Sequence, residues 1–107
     1  MRKPVRHFFV CGNRRPAAAE LASCGHNGST EVASALRRAR ERHGLSAAVY
    51  VTDTGCLGLC PPSGCTIVVY PEAVWYTGVT TADVDEIVDR HMLCGEVVER
   101  LLEPTLR

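Results

Sequence analysis

Three of the six cysteines of this chain lie close together in a stretch rich in glycine and proline. Cys56, Cys60 and Cys65 belong to TDTGCLGLCPPSGCTIVVYP, and Cys11 and Cys24 precede them in the sequence. Such thiols could form a disulfide, act as a redox nucleophile, bind zinc or hold an iron–sulfur cluster. Because the sequence shows no general base, nucleophile constellation or phosphate-binding loop, the function depends on which of these the thiols do.

The composition is that of one globular domain, which we expect to span residues 1–107. The chain has 107 residues, 46% of them hydrophobic, and its 12 basic and 12 acidic side chains cancel. This balance gives no reason to expect binding to nucleic acid or to a membrane. No apolar stretch reaches the length of a membrane-spanning helix, and no cleavage site follows the first residues. We therefore expect a cytoplasmic protein, in which thiols stay reduced and serve metal or redox chemistry.

The hydrophobic periodicity predicts the order β-α-β-loop-β-β-α with a helical tail. A strand–helix–strand unit implies a right-handed parallel crossover, and the later hairpin adds antiparallel pairing. The predicted fold is therefore α/β, a thioredoxin-like mixed sheet with helices packed on it. The predicted strands are 5–10, 47–51, 66–70 and 74–79. The first predicted helix covers 30–44 and is capped by Ser29 or Thr30. A capping box of Thr80 and Asp83 opens the second, and a short amphipathic helix follows over EVVERLLEP.

Four cysteines follow the first two strands of this predicted sheet. Cys11 closes the first strand and Cys24 lies in the loop after it, whereas Cys56 and Cys60 lie in the loop after the second strand. Parallel strands carry their connecting loops at one edge of the sheet, so both cysteine pairs are expected at the same edge. Four converging thiolates make a metal site, and soft sulfur ligands select zinc or iron–sulfur clusters.

The residues around these cysteines favour a cluster over a single zinc ion. Glycine allows backbone N–H groups to approach the sulfur atoms of a bulky cluster, and Arg14 and Arg15 could offset its negative charge. The twelve residues between Cys11 and Cys24 exceed the two to four typical of paired zinc ligands. A zinc-stapled interaction module and a thiol–disulfide protein using Cys56 and Cys60 remain as alternatives. The glycines in question are Gly12, Gly25, Gly55 and Gly58.

Together these motifs resemble the thioredoxin-like [2Fe–2S] ferredoxins, also called Shethna-type ferredoxins. The resemblance covers nearly the whole chain: HFFVCGNRR, C-x12-C, GCLGLC, TIVVYPEAVWY and TTADVDEIV carry it. It implies one [2Fe–2S] cluster ligated by Cys11, Cys24, Cys56 and Cys60. It also implies one-electron transfer between redox partner proteins, and a homodimer. An electron carrier of this kind is not an enzyme in its own right.

Several remaining residues are expected to be structural. Cys65 is an extra thiol near the expected cluster and is interpreted as a small buried side chain, with a substitute ligand and a surface thiol as the alternatives. Cys94 is interpreted as core packing. His91 lies on the apolar stripe of its helix, which predicts a core histidine with satisfied hydrogen bonds. Either Trp75 or Tyr76 is expected to face outwards, where it could contribute to a dimer surface. The arginines of the first helix are expected to be solvated or to dock to an acidic redox partner. They are Arg37, Arg38, Arg40 and Arg42.

Overall fold

The computed structural model describes residues 5–12, 28–55 and 64–103. These residues form a four-stranded sheet in the order β2-β1-β3-β4, together with helices and helical turns. In chain order the elements are β1 (Arg6–Cys11), α1 (Ser29–Arg42), β2 (Val49–Thr54), β3 (Cys65–Tyr70), β4 (Val74–Val79), a 3-10 turn (Thr81–Asp83), α2 (Val84–Ile87), a π-helical turn (Val88–Met92) and a last 3-10 turn (Glu99–Leu101).

The pairing of the strands confirms the predicted mixed sheet. β1 and β2 are parallel, with Cys11 opposite Thr54 at their carboxyl ends. β3 is antiparallel to β1 and continues through a hairpin into β4. The carboxyl ends of β1 and β2 therefore share one edge of the sheet with the first residue of β3, Cys65.

The core lies between the sheet and α1 and α2. Phe8 and Val10 of β1 are fully buried in it and alternate with the half-buried His7 and Phe9, whereas Ile67 belongs to β3, which is buried from Cys65 to Val69. Val32 and Leu36 present the apolar stripe of α1 to the same cluster.

The helix α1 begins one residue earlier than predicted, and neither Ser29 nor Thr30 caps it. The N-cap is Gly28, which adopts a φ of 89° and provides no side-chain hydrogen bond. Ser29 is instead the first helical residue, and it lies on the buried stripe with Val32. The expectation of a serine or threonine cap was wrong because Gly28, in the left-handed conformation that glycine adopts readily, takes the N-cap position and leaves Ser29 inside the helix.

Two arginines of α1 fasten the helix to β2. Arg40 donates a hydrogen bond from Nη1 to the carbonyl oxygen of Val49 (3.2 Å). Arg37 donates from Nη2 to the carbonyl of Val51 (3.3 Å) and to Oδ2 of Asp53 (2.9 Å). Since Arg37 and Arg40 make these contacts, the predicted basic face is divided. Its exposed members are Arg38 and Arg42.

The chain after α2 departs furthest from the predictions. The capping box of Thr80 and Asp83 is confirmed, but Cys94 is exposed rather than packed in the core. The π-helical turn over Val88–Met92 explains the error, because an i→i+5 turn rotates the following residues away from the face that an α-helix would give them. The amphipathic helix predicted from Glu96 is also wrong over the described residues, which contain only the short turn Glu99–Leu101.

A hydrogen-bonded chain through His91 holds this terminal segment to the sheet. The backbone N–H of Val98 donates to the Tyr76 hydroxyl (3.0 Å), which lies 2.6 Å from Nδ1 of His91. The Glu72 carboxylate can only accept, so Nε2 of neutral His91 carries the ring hydrogen and donates it to Oε2 of Glu72 (3.3 Å). Nδ1 is then the acceptor, and the Tyr76 hydroxyl donates its hydrogen to it. Arg6 pairs with the other Glu72 oxygen at 2.9 Å. The prediction of a satisfied core histidine is confirmed.

This arrangement favours neutral His91 and makes the fold sensitive to acid. Burial lowers the pKa of His91 from its ordinary value of 6.5, and the hydrogen bond to Glu72 and its charge offset this only in part. The unfolded chain therefore binds more protons than the folded chain once the pH falls below about 6.5. The free energy of unfolding consequently decreases as the pH is lowered further. One such proton changes the unfolding equilibrium constant by up to about tenfold per pH unit.

His91→Gln is expected to flatten the pH dependence of stability, because glutamine can bond to both neighbours without titrating. Urea unfolding measured between about pH 7 and about pH 5 tests this. Burial lowers the pKa of His7 as well, but His7 is present in both proteins, so their difference reports His91. The matched control is His43→Gln at the exposed end of α1, which should keep the full slope. An unchanged slope in His91→Gln contradicts the prediction.

Candidate metal centre

The first predicted ligand, Cys11, is the last residue of β1. Its side chain is 1% exposed, and its register partner at the end of β2 is Thr54. The next residue, Gly12, continues the parallel pairing by donating its N–H to the carbonyl of Thr54 (2.9 Å). Cys11 is thus fixed at the sheet edge that receives the connections leaving β1 and β2.

Residues 56–63, which contain Cys56 and Cys60, connect β2 to β3, the two strands on either side of β1. This connection starts after Gly55, beside the end of β1, and it finishes at Gly64, where β3 begins antiparallel to β1. Both of its ends therefore flank the strand end that carries Cys11. Cys56 follows Thr54 by two positions, and two residues span at most about 7 Å of chain.

Three predicted ligands, Cys24, Cys56 and Cys60, lie outside the described residues, as do Arg14 and Arg15. Within residues 5–12, 28–55 and 64–103, no three His, Cys, Asp or Glu side chains form a group that could hold a metal ion. A site with four such ligands that uses Cys11 must therefore draw at least two of them from residues 13–27 and 56–63. Both segments adjoin the sheet edge of Cys11, and the predicted ligand set meets this condition.

Cys65 starts β3 at the same sheet edge and, like Cys11, belongs to the buried core cluster. Its side chain is fully buried, and it packs in the same cluster as Ile67. The prediction of a small buried side chain is confirmed. Cys94 lies at the other end of the sheet, since its neighbour Gly95 packs against the guanidinium of Arg6, the residue that begins β1.

Cys65→Ala is expected to leave the visible absorption spectrum of the protein unchanged, because Cys65 is outside the proposed ligand set. It should lower stability by about 1 kcal/mol through the lost packing of one buried sulfur. Spectra of the purified variant, scaled to its iron content, check this. Loss of the colour would show that Cys65 is a ligand.

One polar group near this edge was considered from the sequence only as a possible helix cap. The hydroxyl oxygen of Ser29 is buried and has no hydrogen-bond partner among the described residues. Its spacing from Val32 and Leu36 places it on the apolar stripe of α1, and this spacing was the available signal. A buried hydroxyl without a partner is costly unless something else accepts its hydrogen bond, and a sulfur-ligated anion could do so.

Comparison with known proteins identifies relatives over nearly the full length. The chain is 42% identical over 101 residues to a 2Fe-2S ferredoxin of Clostridium pasteurianum, which covers 94% of this chain and 98% of that protein. It is 42% identical over 98 residues to a 2Fe-2S ferredoxin of Aquifex aeolicus, covering 91% and 87%. No protein-family model matches the sequence.

The fold agrees with these relatives. A crystal structure of the wild-type thioredoxin-like [2Fe–2S] ferredoxin from Aquifex aeolicus matches with a TM-score of 0.85 and 40% identity, covering 94% of this chain and 97% of that one. The predicted thioredoxin-like α/β fold is confirmed. Since the similarity of sequence and of structure extends over nearly all of both chains, this protein belongs to the thioredoxin-like [2Fe–2S] ferredoxins.

Proposed function

We propose that this protein is a one-electron carrier whose [2Fe–2S] cluster is ligated by Cys11, Cys24, Cys56 and Cys60. The observation that carries the proposal is the connection from β2 to β3, because both of its ends flank the end of β1 that holds Cys11. When bound, the cluster accepts one electron from a reductase and passes it to an acceptor protein. The chain itself supplies the thiolates and a buried strand end at Cys11 that excludes water from one side.

Absorption spectra of anaerobically purified protein, with and without dithionite, test this function directly. About two iron and two sulfide ions per chain and bleaching on reduction are expected. Protein that stays colourless after reconstitution and carries zinc would instead support the zinc-stapled module. Metal-free protein whose thiols pair on oxidation would support a thiol–disulfide protein. Because the proposed role is to carry electrons between proteins, we do not propose that this protein is an enzyme.

The relatives support the cluster over both alternatives, since their names specify a 2Fe-2S ferredoxin. In the described part of the chain, no helix is long and apolar enough to span a membrane. We propose a cytoplasmic location because the cluster requires thiolates that are not oxidised to disulfides. The electron donor and acceptor are proposed to be proteins that dock near the cluster edge of the sheet.

A homodimer is proposed to form through the sheet face that carries the half-buried aromatic side chains. His7 stacks on Phe9 with ring centroids 3.9 Å apart, and Tyr70, beside Phe9, is 44% exposed. Trp75 is half-buried, whereas Tyr76 is fully buried, and the strand register places Trp75 on the same face as Phe9. Aromatic side chains of this kind are enriched at protein interfaces.

Phe9→Lys is expected to weaken this dimer, because it places a charge at the centre of the aromatic face. Sedimentation equilibrium should give twice the chain mass of 11.6 kDa for the wild type and a smaller average mass for the variant. The control is Arg38→Glu, which alters an exposed charge on α1. A monomeric wild type would contradict the proposed dimer.

A further inference from the structure

The hydroxyl of Ser29 is the one buried polar group at the N-terminus of α1 that the fold leaves without a partner among the described residues. The side chain is 1% exposed, and it lies on the stripe of α1 that faces the sheet. The helix has 14 residues, and its N-cap, Gly28, offers no side-chain acceptor or donor. Among the described residues no side chain caps the first turn of α1, which carries the positive end of the helix dipole.

The contacts of α1 with β2 fix the height of Ser29 along the sheet. Arg40 binds the carbonyl of Val49 and Arg37 binds that of Val51, so α1 runs antiparallel to β2. Between Arg40 and Ser29 the helix advances about 16 Å, at about 1.5 Å per residue. Between Val49 and Thr54 the strand advances about 16 Å, at about 3.3 Å per residue.

Ser29 therefore lies at the level of Thr54, whose register partner is Cys11. Its buried side chain lies with Val32 and Leu36 on the face of α1 that packs on the sheet, at the edge that carries Cys11. Two independent observations thus meet at one place: a helix N-terminus and an unpartnered buried hydroxyl. A group of negative charge that accepts hydrogen bonds satisfies both of them.

We propose that the Ser29 hydroxyl donates a hydrogen bond to a sulfur atom of the cluster site and raises the reduction potential of the protein. This inference rests on the proposed function and deepens it by naming a residue that tunes the electron transfer. Two ferric ions, two sulfides and four thiolates sum to a charge of about −2, and one electron from the donor protein makes it about −3. No proton moves and no bond breaks. A hydrogen-bond donor stabilises the more negative reduced form more strongly than the oxidised form.

Ser29→Ala tests the proposal, with the reduction potential and the resonance Raman spectrum as readouts. The variant should reduce less readily, with an equilibrium between reduced and oxidised protein about tenfold lower, which corresponds to about 59 mV for one electron. The iron–sulfur stretching bands of the variant should shift relative to the wild type. Ser29→Thr keeps the hydroxyl and should behave as the wild type does. Thr30→Ala removes an exposed hydroxyl from the same helical turn and is the matched control.

An unchanged potential in Ser29→Ala, or an equal shift in Thr30→Ala, overturns the inference. If Ser29→Ala does not hold a cluster, Ser29→Thr decides: wild-type potential and Raman bands support the role of the hydroxyl, and a colourless or shifted protein overturns it. Iron and sulfide content separate this result from the proposed function. Wild-type protein without two irons and two sulfides refutes the electron carrier, whereas a normal cluster with an unaltered potential in Ser29→Ala refutes only the role of Ser29.

Discussion

Cys11→Ala is expected to abolish the visible absorption of the protein and to lower its stability by an amount on the order of 5 kcal/mol. Thiolate ligation of a metal centre contributes directly to folding free energy, because the unfolded chain holds no preformed site. A domain of this size is stable by only about 5–15 kcal/mol, so loss of the centre removes a large share of the total. Cys56→Ala and Cys60→Ala should have the same effect. Visible spectra, iron content and thermal unfolding of each variant provide the measurement.

The matched control for Cys11→Ala is Cys65→Ala. Both cysteines are buried, at 1% and 0% exposure, so the two variants lose a similar amount of packing. Only Cys11 belongs to the proposed ligand set, and only its replacement should remove the colour. A Cys11→Ala protein that has lost its cluster but keeps the wild-type melting temperature would refute the link between ligation and folding.

The strands were predicted well because their residue patterns are local. The alternation around VWYTGV and the preceding turn gave the bounds of β4 as they are observed, Val74–Val79. The predicted end of β2 at residue 51 was three residues short, because Thr52, Asp53 and Thr54 are polar and exposed or half-buried. They extend the strand only because β1 is there to pair with them. The local residue pattern does not show which strands pair with each other.

The terminal segment could not be predicted for the same physical reason. Val97, Val98, Leu101 and Leu102 have helical spacing, but the N–H of Val98 bonds to the Tyr76 hydroxyl and Leu102 forms a bridge with Tyr76. These tertiary hydrogen bonds replace the ones that a helix would make. The role of the Tyr76 hydroxyl as an acceptor for a distant backbone N–H depends on the folded chain.

The candidate site also has parts that the sequence predicts and parts that only the structure shows. Its cysteines could be named from spacing and from the resemblance, and the structure places Cys11 where the sheet edge was predicted to be. Ser29 was predicted as a possible helix cap. Its inward position follows from its spacing to Val32 and Leu36, whereas the N-cap position of Gly28 was not indicated by the local pattern.

Gly64→Ala is expected to lower both the stability of the fold and the amount of cluster that the protein holds. Gly64 is the residue at which the segment with Cys56 and Cys60 rejoins the sheet, and it adopts a φ of 71°. A Cβ atom there would lie 2.7 Å from Cα of Gly78 in β4, where backbone rather than a flexible side chain blocks it. The left-handed conformation costs an L-residue about 1 kcal/mol, and the overlap adds about 1–3 kcal/mol. Thermal unfolding should show a melting temperature lower by about 10 °C or more, with a reduced iron content.

Gly44→Ala separates the two parts of this cost. Gly44 follows α1 with a φ of 69°, but nothing lies within 4 Å of the position that its Cβ would occupy. Its replacement should therefore cost only the conformational part, about 1 kcal/mol, and should leave the cluster intact. Equal losses in the two variants would mean that the contact between Gly64 and Gly78 relaxes freely. A larger loss in Gly64→Ala would show that the close approach of β3 and β4 fixes the end of the ligand-bearing connection.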